Sequence, residues 1–426
     1  MSANAYDQIR RSAVDLIESR KLDPQRDRTT VESVVASIVD DYQRKAHLGE
    51  ERALHDPSEM IGRVIRSIAD FGPLTDVLAK PDVEEVFVEG SRVTYIDGSG
   101  QLRAIEAPTT EIENRQVINR LLADTDRHLD TSNPIVQARV LSDSARLTAV
   151  IPPVSDQLSA TIRRYALRRE SLPSLVELGA LSPAAAGFLW AIMQTGLSIL
   201  ISGPPGAGKT SLLSAMMAAA PPTHCLRCCE EVRELHVPIV HGSYYEARPA
   251  SLDGEGEISL RDLVKIVLAM RPDRIVVGEV RGSEAFELTR AVNAGCGFAC
   301  TVHANSAPDA LNAIVNAALM AGENVGEPIV RRVFSSSIDF VIHLDRDSLP
   351  QPGSNRLRRQ VMEIMAVVPA MRDDFSSDPL FAREAIGRPL DWTGSFPPEQ
   401  TTNIINRALP DGLDLKAIFE GRVSPS

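Results

Sequence analysis

The chain has 426 residues, of which 43% are hydrophobic and 24% charged, and its formal net charge is −12 at pH 7. This length exceeds what one compact core holds, so it predicts two or three domains, and the composition is typical of a globular protein. The acidic balance argues against a general electrostatic grip on nucleic acid, and 4% aromatic residues are too few for a platform that stacks single strands.

The first 70 residues predict a helical region. Their apolar residues recur at helical spacing, charged residues fill the gaps, and no strand pattern interrupts them. Two interpretations are open: an amphipathic leader without activity of its own, and a module that docks a partner.

Residues 71–168 predict an α+β domain. Short runs in which apolar and polar residues alternate indicate strands, and one longer periodic run indicates a helix. The strands are expected at residues 83–88, 93–96, 136–141, 146–150 and 159–163, and the helix at 112–122.

Residues 169–183 are typical of a linker, and residues 184–426 of an α/β domain with a C-terminal extension. In the latter, β-rich runs alternate with helical segments, which predicts a RecA-like P-loop domain, a parallel sheet with helices on both faces. Its strands are expected at residues 199–202, 225–229, 275–278, 300–303 and 340–344, with a further strand at 360–367.

Two features bear on where the protein works. The apolar window over residues 184–201 is nearly long enough to cross a membrane, but polar residues interrupt it, so it predicts a buried helix and a core strand. The five cysteines lie on apolar stretches, which predicts reduced, buried thiols of a cytoplasmic protein. Cys225-x-x-Cys228 keeps a zinc site as the less favoured alternative.

A phosphate-binding loop follows the strand expected at 199–202. Glycines let several backbone N–H groups point at one phosphate, Lys209 adds a charge for the β- and γ-phosphates, and the Thr210 hydroxyl ligates Mg²⁺. A helix is expected to begin at Ser211, the last residue of the predicted nucleotide site. The sequence therefore predicts binding of ATP or GTP through the loop Gly203-Pro204-Pro205-Gly206-Ala207-Gly208-Lys209-Thr210.

Hydrolysis also needs a metal ligand and a group that positions water. An apolar run ends at Gly278 and Glu279, which is the shape of a Walker B strand, but Gly278 stands where most P-loop enzymes have the aspartate that ligates Mg²⁺. Only Glu279 remains at that strand end, so carboxylates from elsewhere must compensate. Glu230 and Glu231, which follow the preceding strand, are the candidates.

Three segments after the P-loop carry a family resemblance: residues 229–235, 271–282 and 300–306. Their order resembles the Asp box, Walker B and His box of the secretion ATPases of bacterial type II and type IV systems. Further segments are similar to the branch that serves tight-adherence (Flp) pili and conjugation-type secretion, namely residues 71–74, 133–134, 146–153 and 256–265. The resemblance covers roughly residues 70–345, and four ordered motifs make it specific.

The resemblance implies a role for each matching residue. Glu230 matches the glutamate that activates water, and Glu279 the Walker B glutamate near Mg²⁺, with Glu231 as a further candidate for the metal. His303 matches the histidine that couples nucleotide state to the subunit interface. The alternative for Glu230 and Glu231 is a solvated strand end, and the alternative for His303 is a structural role. Which of the two glutamates positions water is open.

In this family, arginines of the smaller N-terminal domain reach the terminal phosphates. Arg146 and Arg163 stand at the matching positions, with Arg164 as a substitute. A guanidinium stabilises the negative charge of phosphoryl transfer, which suits that role. A solvated basic segment and a subunit contact are the alternatives.

The resemblance implies a motor ATPase that uses ATP and Mg²⁺ to drive pilin assembly or substrate export. It further implies a homo-oligomeric ring of six copies that associates peripherally with the inner face of the cytoplasmic membrane and acts on an inner-membrane platform protein, with no direct contact to nucleic acid. The runner-up is a RecA-like nucleic-acid translocase or helicase. A third hypothesis is a scaffold that binds nucleotide without hydrolysis.

Overall fold

The structure is a computed structural model and describes residues 5–24, 26–98, 101–106, 109–142, 144–164, 171–235, 237, 239–248, 250, 255–322, 324–347, 357–368 and 375–422. The chain divides into two compact units, Met1–Ala166 and Leu167–Ser426. The boundary expected between residues 168 and 169 lies outside the described residues.

The first unit begins with three helices, α1 (Ala5–Ser19), α2 (Arg28–His47) and α3 (Pro57–Ala69). An aspartate caps the last of them, because Asp56 accepts a hydrogen bond of 2.9 Å from the backbone N–H of Glu59. The apolar faces of the three helices form a core of their own, which includes Ile9, Val35, Val39 and Ile65.

A six-stranded sheet and its helices form the rest of the first unit. In chain order the elements are a 3-10 turn (Gly72–Leu74), α4 (Thr75–Ala79), β1 (Glu85–Glu89), β2 (Arg92–Ile96), β3 (Leu102–Ala104), α5 (Glu111–Leu122), β4 (Ile135–Val140), β5 (Ala145–Val150) and β6 (Ser159–Arg164). The strand order is β3-β2-β1-β6-β5-β4, and each neighbouring pair is antiparallel. Every second residue of a strand enters the core, as Leu147 does on β5 and Ile162 on β6. The residues that alternate with them along each strand therefore occupy the opposite face of the sheet.

The second unit alternates helices and strands from its start. Its elements are α6 (Leu172–Glu177), α7 (Pro183–Met193), β7 (Ile199–Ser202), α8 (Lys209–Ala218), β8 (Leu226–Glu230), β9 (Gly242–Glu246), α9 (Leu260–Leu268), β10 (Arg274–Val277), α10 (Glu284–Asn293), β11 (Gly297–Val302), α11 (Ala307–Leu319), α12 (Glu327–Ser335), β12 (Phe340–Arg346), β13 (Arg359–Val368), β14 (Ser376–Ala382), β15 (Asp391–Trp392), α13 (Glu399–Ala408) and α14 (Leu415–Phe419).

The nine strands of the second unit form one mixed sheet in the order β15-β14-β13-β12-β7-β11-β10-β8-β9. The expected parallel pairing holds from β12 to β9. Strands β13, β14 and β15 of the C-terminal extension join the sheet antiparallel, a pairing for which the sequence predicted no direction. Residues 347–358, which separate β12 from β13, are few for a crossover helix but ample for a hairpin, so β13 returns beside β12.

Helices cover both faces of this sheet. Ile199 and Ile201 of β7 lie in one apolar core with residues of α7 and α8, whereas Leu200 lies in a second core with residues of α9 to α12. Strands covered on both sides consist almost entirely of apolar residues, and all four residues of β7 and of β10 are buried, with Ser202 and Arg274 as the polar ones. The sheet therefore holds the ends of its central strands in fixed positions.

The segment expected as a linker contains helix α6. Ser171 caps this helix by accepting a hydrogen bond of 3.2 Å from the backbone N–H of Ser174, and Leu172 and Leu175 pack into the first core of the second unit. Residues 169 and 170 lie outside the described residues.

The C-terminal extension packs onto helix α7 through aromatic rings. The Phe419 ring of α14 lies 5.3 Å from the ring of Phe188 and 5.3 Å from that of Phe381, measured between centroids. The five cysteines are free thiols, four of them buried. In the described part of the chain, no helix is both long enough and apolar enough to cross a membrane.

Candidate active site

The P-loop connects β7 to α8 at the carboxyl edge of the nine-stranded sheet. Gly203, Gly206 and Gly208 have φ angles of 152°, 74° and 95°, in the region that favours glycine. Gly203 also lies against β12, since a Cβ at this position would be 2.4 Å from the carbonyl oxygen of Leu344. Helix α8 begins at Lys209, so the backbone N–H groups of its first turn lie at the end of this loop. In such folds these N–H groups bind a phosphate.

A glutamate of β8 occupies the space that an aspartate at position 278 would need. A Cβ added to Gly278 would lie 2.7 Å from Cγ and 2.9 Å from Oε1 of Glu230. Glu230 is only 4% exposed, and its carboxylate accepts hydrogen bonds from the backbone N–H groups of Glu234 and Leu235. Glu231, by contrast, is exposed. The missing Walker B aspartate and the buried Glu230 are thus one structural feature.

Burial raises the pKa of Glu230 to about 7 from its ordinary value of 4.5, and the hydrogen bonds from Glu234 and Leu235 act in the opposite direction. A carboxylate with a pKa near the working pH accepts a proton effectively and exists partly in its charged form. Glu230 therefore has the property required of a group that activates water.

The raised pKa predicts how the stability of the ligand-free protein depends on pH. In the unfolded chain Glu230 loses its proton near pH 4.5, whereas in the folded protein it keeps it until about pH 7. Stability is consequently lost as the pH rises through this window, by about 3 kcal/mol for this group. We expect Glu230→Gln to stabilise the protein at pH 8 by up to this amount and not at pH 4.5, as measured by urea unfolding. A gain independent of pH would contradict the prediction.

A hydrogen-bonded chain joins the P-loop lysine to the Walker B glutamate. Lys209 donates to the carbonyl oxygen of Gly203 at 2.9 Å, and its Nζ lies 3.1 Å from Nδ1 of His303. Because an ammonium only donates, Nδ1 accepts, and the proton of the neutral imidazole lies on Nε2, which contacts the Glu279 carboxylate. Arg281 completes the chain by donating from Nε to Glu279 at 2.7 Å.

The protonation of His303 follows from its surroundings. Burial and the adjacent Lys209 ammonium lower the pKa of His303 below its ordinary value of 6.5, while Glu279 acts in the opposite direction. The neutral imidazole thus links Lys209 to Glu279 directly. An anion that draws Lys209 away from Nδ1 would change the hydrogen bonding of His303 and of Glu279 together.

Three arginines form a row on the outer face of the first unit's sheet. Arg139 of β4 is paired with Arg146 of β5, which is paired with Arg163 of β6. Arg163 is paired in turn with Glu85 of β1, and its Nε lies 3.5 Å from Oε1 of that glutamate. Directly opposed residues share a face, so this part of the sheet presents a concentration of positive charge.

Arg164 has a different position from the row. Its guanidinium donates to the carbonyl oxygens of Leu78 at 2.9 Å and Lys80 at 2.6 Å, at the end of α4. Successive residues of a strand point to opposite faces, which separates Arg164 from Arg163. The Arg164 guanidinium therefore satisfies carbonyl groups at the end of α4. Arg146 and Arg163 are the better candidates for binding a ligand.

The P-loop fits a nucleoside triphosphate with Mg²⁺. The positive φ angles of the three glycines let the loop turn its backbone N–H groups toward one phosphate, and Lys209 and Thr210 lie at its end, on the first turn of α8. Within the described ranges, no group of three or more His, Cys, Asp or Glu side chains is placed to hold a metal ion. Magnesium in phosphate sites commonly uses few protein ligands together with phosphate oxygens, which the Thr210 hydroxyl would complete. The assignment of Glu231 and Glu279 to the metal stays a prediction.

Residues 67–370 match the sequence profile of the type II/IV secretion system protein family. The chain belongs to this family. A putative conjugal transfer protein of Mycobacterium tuberculosis H37Rv is 35% identical over 296 residues, which cover 67% of this chain and 82% of that protein. The type IV secretion system protein PtlH of Bordetella pertussis is 28% identical over 320 residues, covering 67% and 91%. The resemblance to secretion ATPases is confirmed.

The family also agrees with the fold. The crystal structure of the ATPase DotB of Yersinia pseudotuberculosis aligns with a TM-score of 0.51, covering 71% of this chain and 79% of that chain at 14% identity. At this identity the likeness concerns the mixed α/β fold alone. The roles of individual residues rest on the geometry of this chain.

The structure brings together the P-loop, Glu230, Glu279 and His303 at one edge of the second unit. The sequence places these residues at the ends of expected strands, and neighbouring parallel strands end at the same edge. It gives no indication of the contact between Gly278 and Glu230. Arg139 is also absent from the sequence-based assignment, although its alternation with Val136 and Val140 on β4 signals an outward side chain.

Proposed function

We propose that this protein is a RecA-like P-loop ATPase that serves as the motor of a type II/IV-like secretion or pilus assembly system. The observation that carries this proposal is the juxtaposition of the buried Glu230 carboxylate with Gly278, beside the chain from Lys209 through His303 to Glu279. Membership of the secretion family supports the biological setting.

Each residue of this site has a distinct task in the proposed reaction. Lys209 contributes charge to the phosphates, and Glu230, whose pKa is about 7, takes a proton from the attacking water. Glu279, held between His303 and Arg281, provides a second carboxylate next to Gly278, the residue that Glu230 packs against. When bound, Mg²⁺ would neutralise phosphate charge. The motion of His303 with Lys209 would report the nucleotide state.

The proposal includes a ring of six identical subunits, peripheral attachment to the cytoplasmic face of the inner membrane, and a membrane-embedded platform partner. Hydrolysis by itself moves nothing, so a motor needs neighbouring subunits that change position and a partner that receives the motion. The names of the M. tuberculosis and B. pertussis relatives, conjugal transfer and type IV secretion proteins, support such a machine.

Phosphate release from ATP by the purified full chain tests the proposal. We expect turnover that requires Mg²⁺ and is lost in Lys209→Ala. Addition of single-stranded DNA is expected to change the turnover little, and vesicles with anionic lipids serve as the comparison with another negatively charged additive. Strong stimulation by DNA would favour the alternative, a RecA-like nucleic-acid translocase. Nucleotide binding without turnover would instead indicate a scaffold.

The arginine row gives a separate prediction. We expect Arg146→Ala and Arg163→Ala each to slow hydrolysis about tenfold, the value of one charge-assisted hydrogen bond, without loss of folding. Steady-state turnover and thermal unfolding measure the two effects. Arg92→Ala, which removes an exposed arginine from β2 of the same unit, is the matched control. Equal rates for Arg146→Ala, Arg163→Ala and the parent protein would remove these arginines from the reaction.

A further inference from the structure

The P-loop has a second basic neighbour, the hairpin formed by β12 and β13. Arg346 is the last residue of β12, Arg359 is the first of β13, and the two are directly opposed in the antiparallel pair. Leu344 and Val361, the next opposed pair on that face, pack in the same core as Ala207 of the P-loop. The face that carries the two arginines is therefore the face turned to the loop.

The distances place Arg346 against the loop itself. A Cβ added to Gly206 would lie 3.2 Å from Nη1 and 3.5 Å from Cζ of Arg346. A Cβ added to Gly208 would lie 3.9 Å from Cβ and Cδ of Arg359, so the aliphatic part of that side chain lies over the end of the loop. Since Gly203 lies against Leu344 of β12, the hairpin is next to all three glycines whose backbone shapes the P-loop.

Positively charged side chains of the hairpin and of the P-loop lie close together at this position. Like charges directly opposed on neighbouring strands are destabilising, and here the opposed pair stands beside a loop whose lysine is also positive. Arg346 is exposed, and within the described residues no ion pair involves its guanidinium.

We propose that Arg346 binds the polyphosphate of the nucleotide, as a cation that the β12–β13 hairpin supplies to the P-loop of its own subunit. This inference rests on the proposed function, since it assigns one more phosphate contact to that site. A planar guanidinium pairs with phosphate oxygens through two parallel hydrogen bonds. The backbone N–H groups of the loop and its one lysine leave phosphate oxygens available for this pairing. Arg359 positions the hairpin by packing its stem on Gly208.

Equilibrium titration of the full chain with MgADP and with MgGDP tests this inference. We expect Arg346→Ala to weaken both nucleotides by the same factor, about tenfold, with Arg346→Lys intermediate. The melting temperature without nucleotide is expected not to fall below the parent value, because the exposed guanidinium holds no core group in place and its removal relieves the repulsion by Arg359. Arg407→Ala, which removes an exposed arginine of α13, is expected to bind both nucleotides like the parent protein.

The outcomes separate this inference from the proposed function. If the parent chain itself binds no nucleotide, the proposed function fails. If the parent binds and Arg346→Ala binds equally well, only the role of Arg346 is overturned. A loss for one base and not for the other also overturns it, because a contact with phosphate does not distinguish bases.

Discussion

Glu230→Gln is expected to lower the rate of ATP hydrolysis by about 10²- to 10⁴-fold while nucleotide affinity stays close to that of the parent protein. The amide preserves the shape of a side chain that is 4% exposed and packed against Gly278, and it still accepts a backbone hydrogen bond. It cannot take a proton from water. Single-turnover phosphate release measures the chemical step, and titration with MgADP measures binding.

The neighbouring glutamate provides the matched control for this prediction. Glu231 differs from Glu230 by one position in the chain but is exposed to solvent. Because Glu231 stays a predicted ligand of Mg²⁺, Glu231→Gln is expected to need more Mg²⁺ for half-maximal turnover, but at saturating Mg²⁺ its single-turnover rate is expected within about twofold of the parent. A stalled Glu231→Gln together with an active Glu230→Gln would transfer the role in activating water to Glu231.

Gly278→Ala is expected to reduce hydrolysis about 100-fold although it adds only one methyl group. The new Cβ would stand 2.7 Å from Cγ of Glu230, a distance that atoms do not tolerate, so the carboxylate must move. Overpacking of a dense core costs about 1 to 3 kcal/mol, so a lower melting temperature accompanies the loss. Phosphate release and thermal unfolding of the same preparation measure both effects.

Two variants test whether the effect of Gly278→Ala passes through Glu230. Gly282→Ala is the control, because its Cβ meets only Oε2 of Glu284, at 3.4 Å, an ordinary contact. In the double variant with Glu230→Gln, the alanine is expected to cause no further loss of turnover, since both changes disable the same group. Multiplied losses in the double variant would show that Gly278 acts independently of Glu230.

Several features of the fold are predictable from the sequence because their causes are local. Strand β7 is found at residues 199–202 as expected, and the loop after it is set by glycines whose backbone conformation other residues rarely adopt. Helix α5 begins one residue before the expected range, since Thr110 and Glu113 form a capping box that fixes its start. In each case the residues that decide the structure are close together in the chain.

Local sequence patterns do not predict the antiparallel edge that β13 to β15 form. A run of apolar residues such as 360–367 indicates a strand but not the direction in which it pairs. The pairing depends on the neighbour that the strand meets, and here β13 follows β12 through a short connection and returns beside it. This return is also what brings Arg346 next to Gly206.

The sequence by itself determined the family, the P-loop and the strand ends that carry Glu230, Glu279 and His303, because each is written in a short motif with fixed spacing. Only the tertiary structure decided why position 278 is glycine, since the atom that excludes a side chain there belongs to Glu230 on another strand. It likewise assembled the arginine row from three strands. Contacts between distant parts of a chain depend on register and packing, which local sequence patterns do not specify.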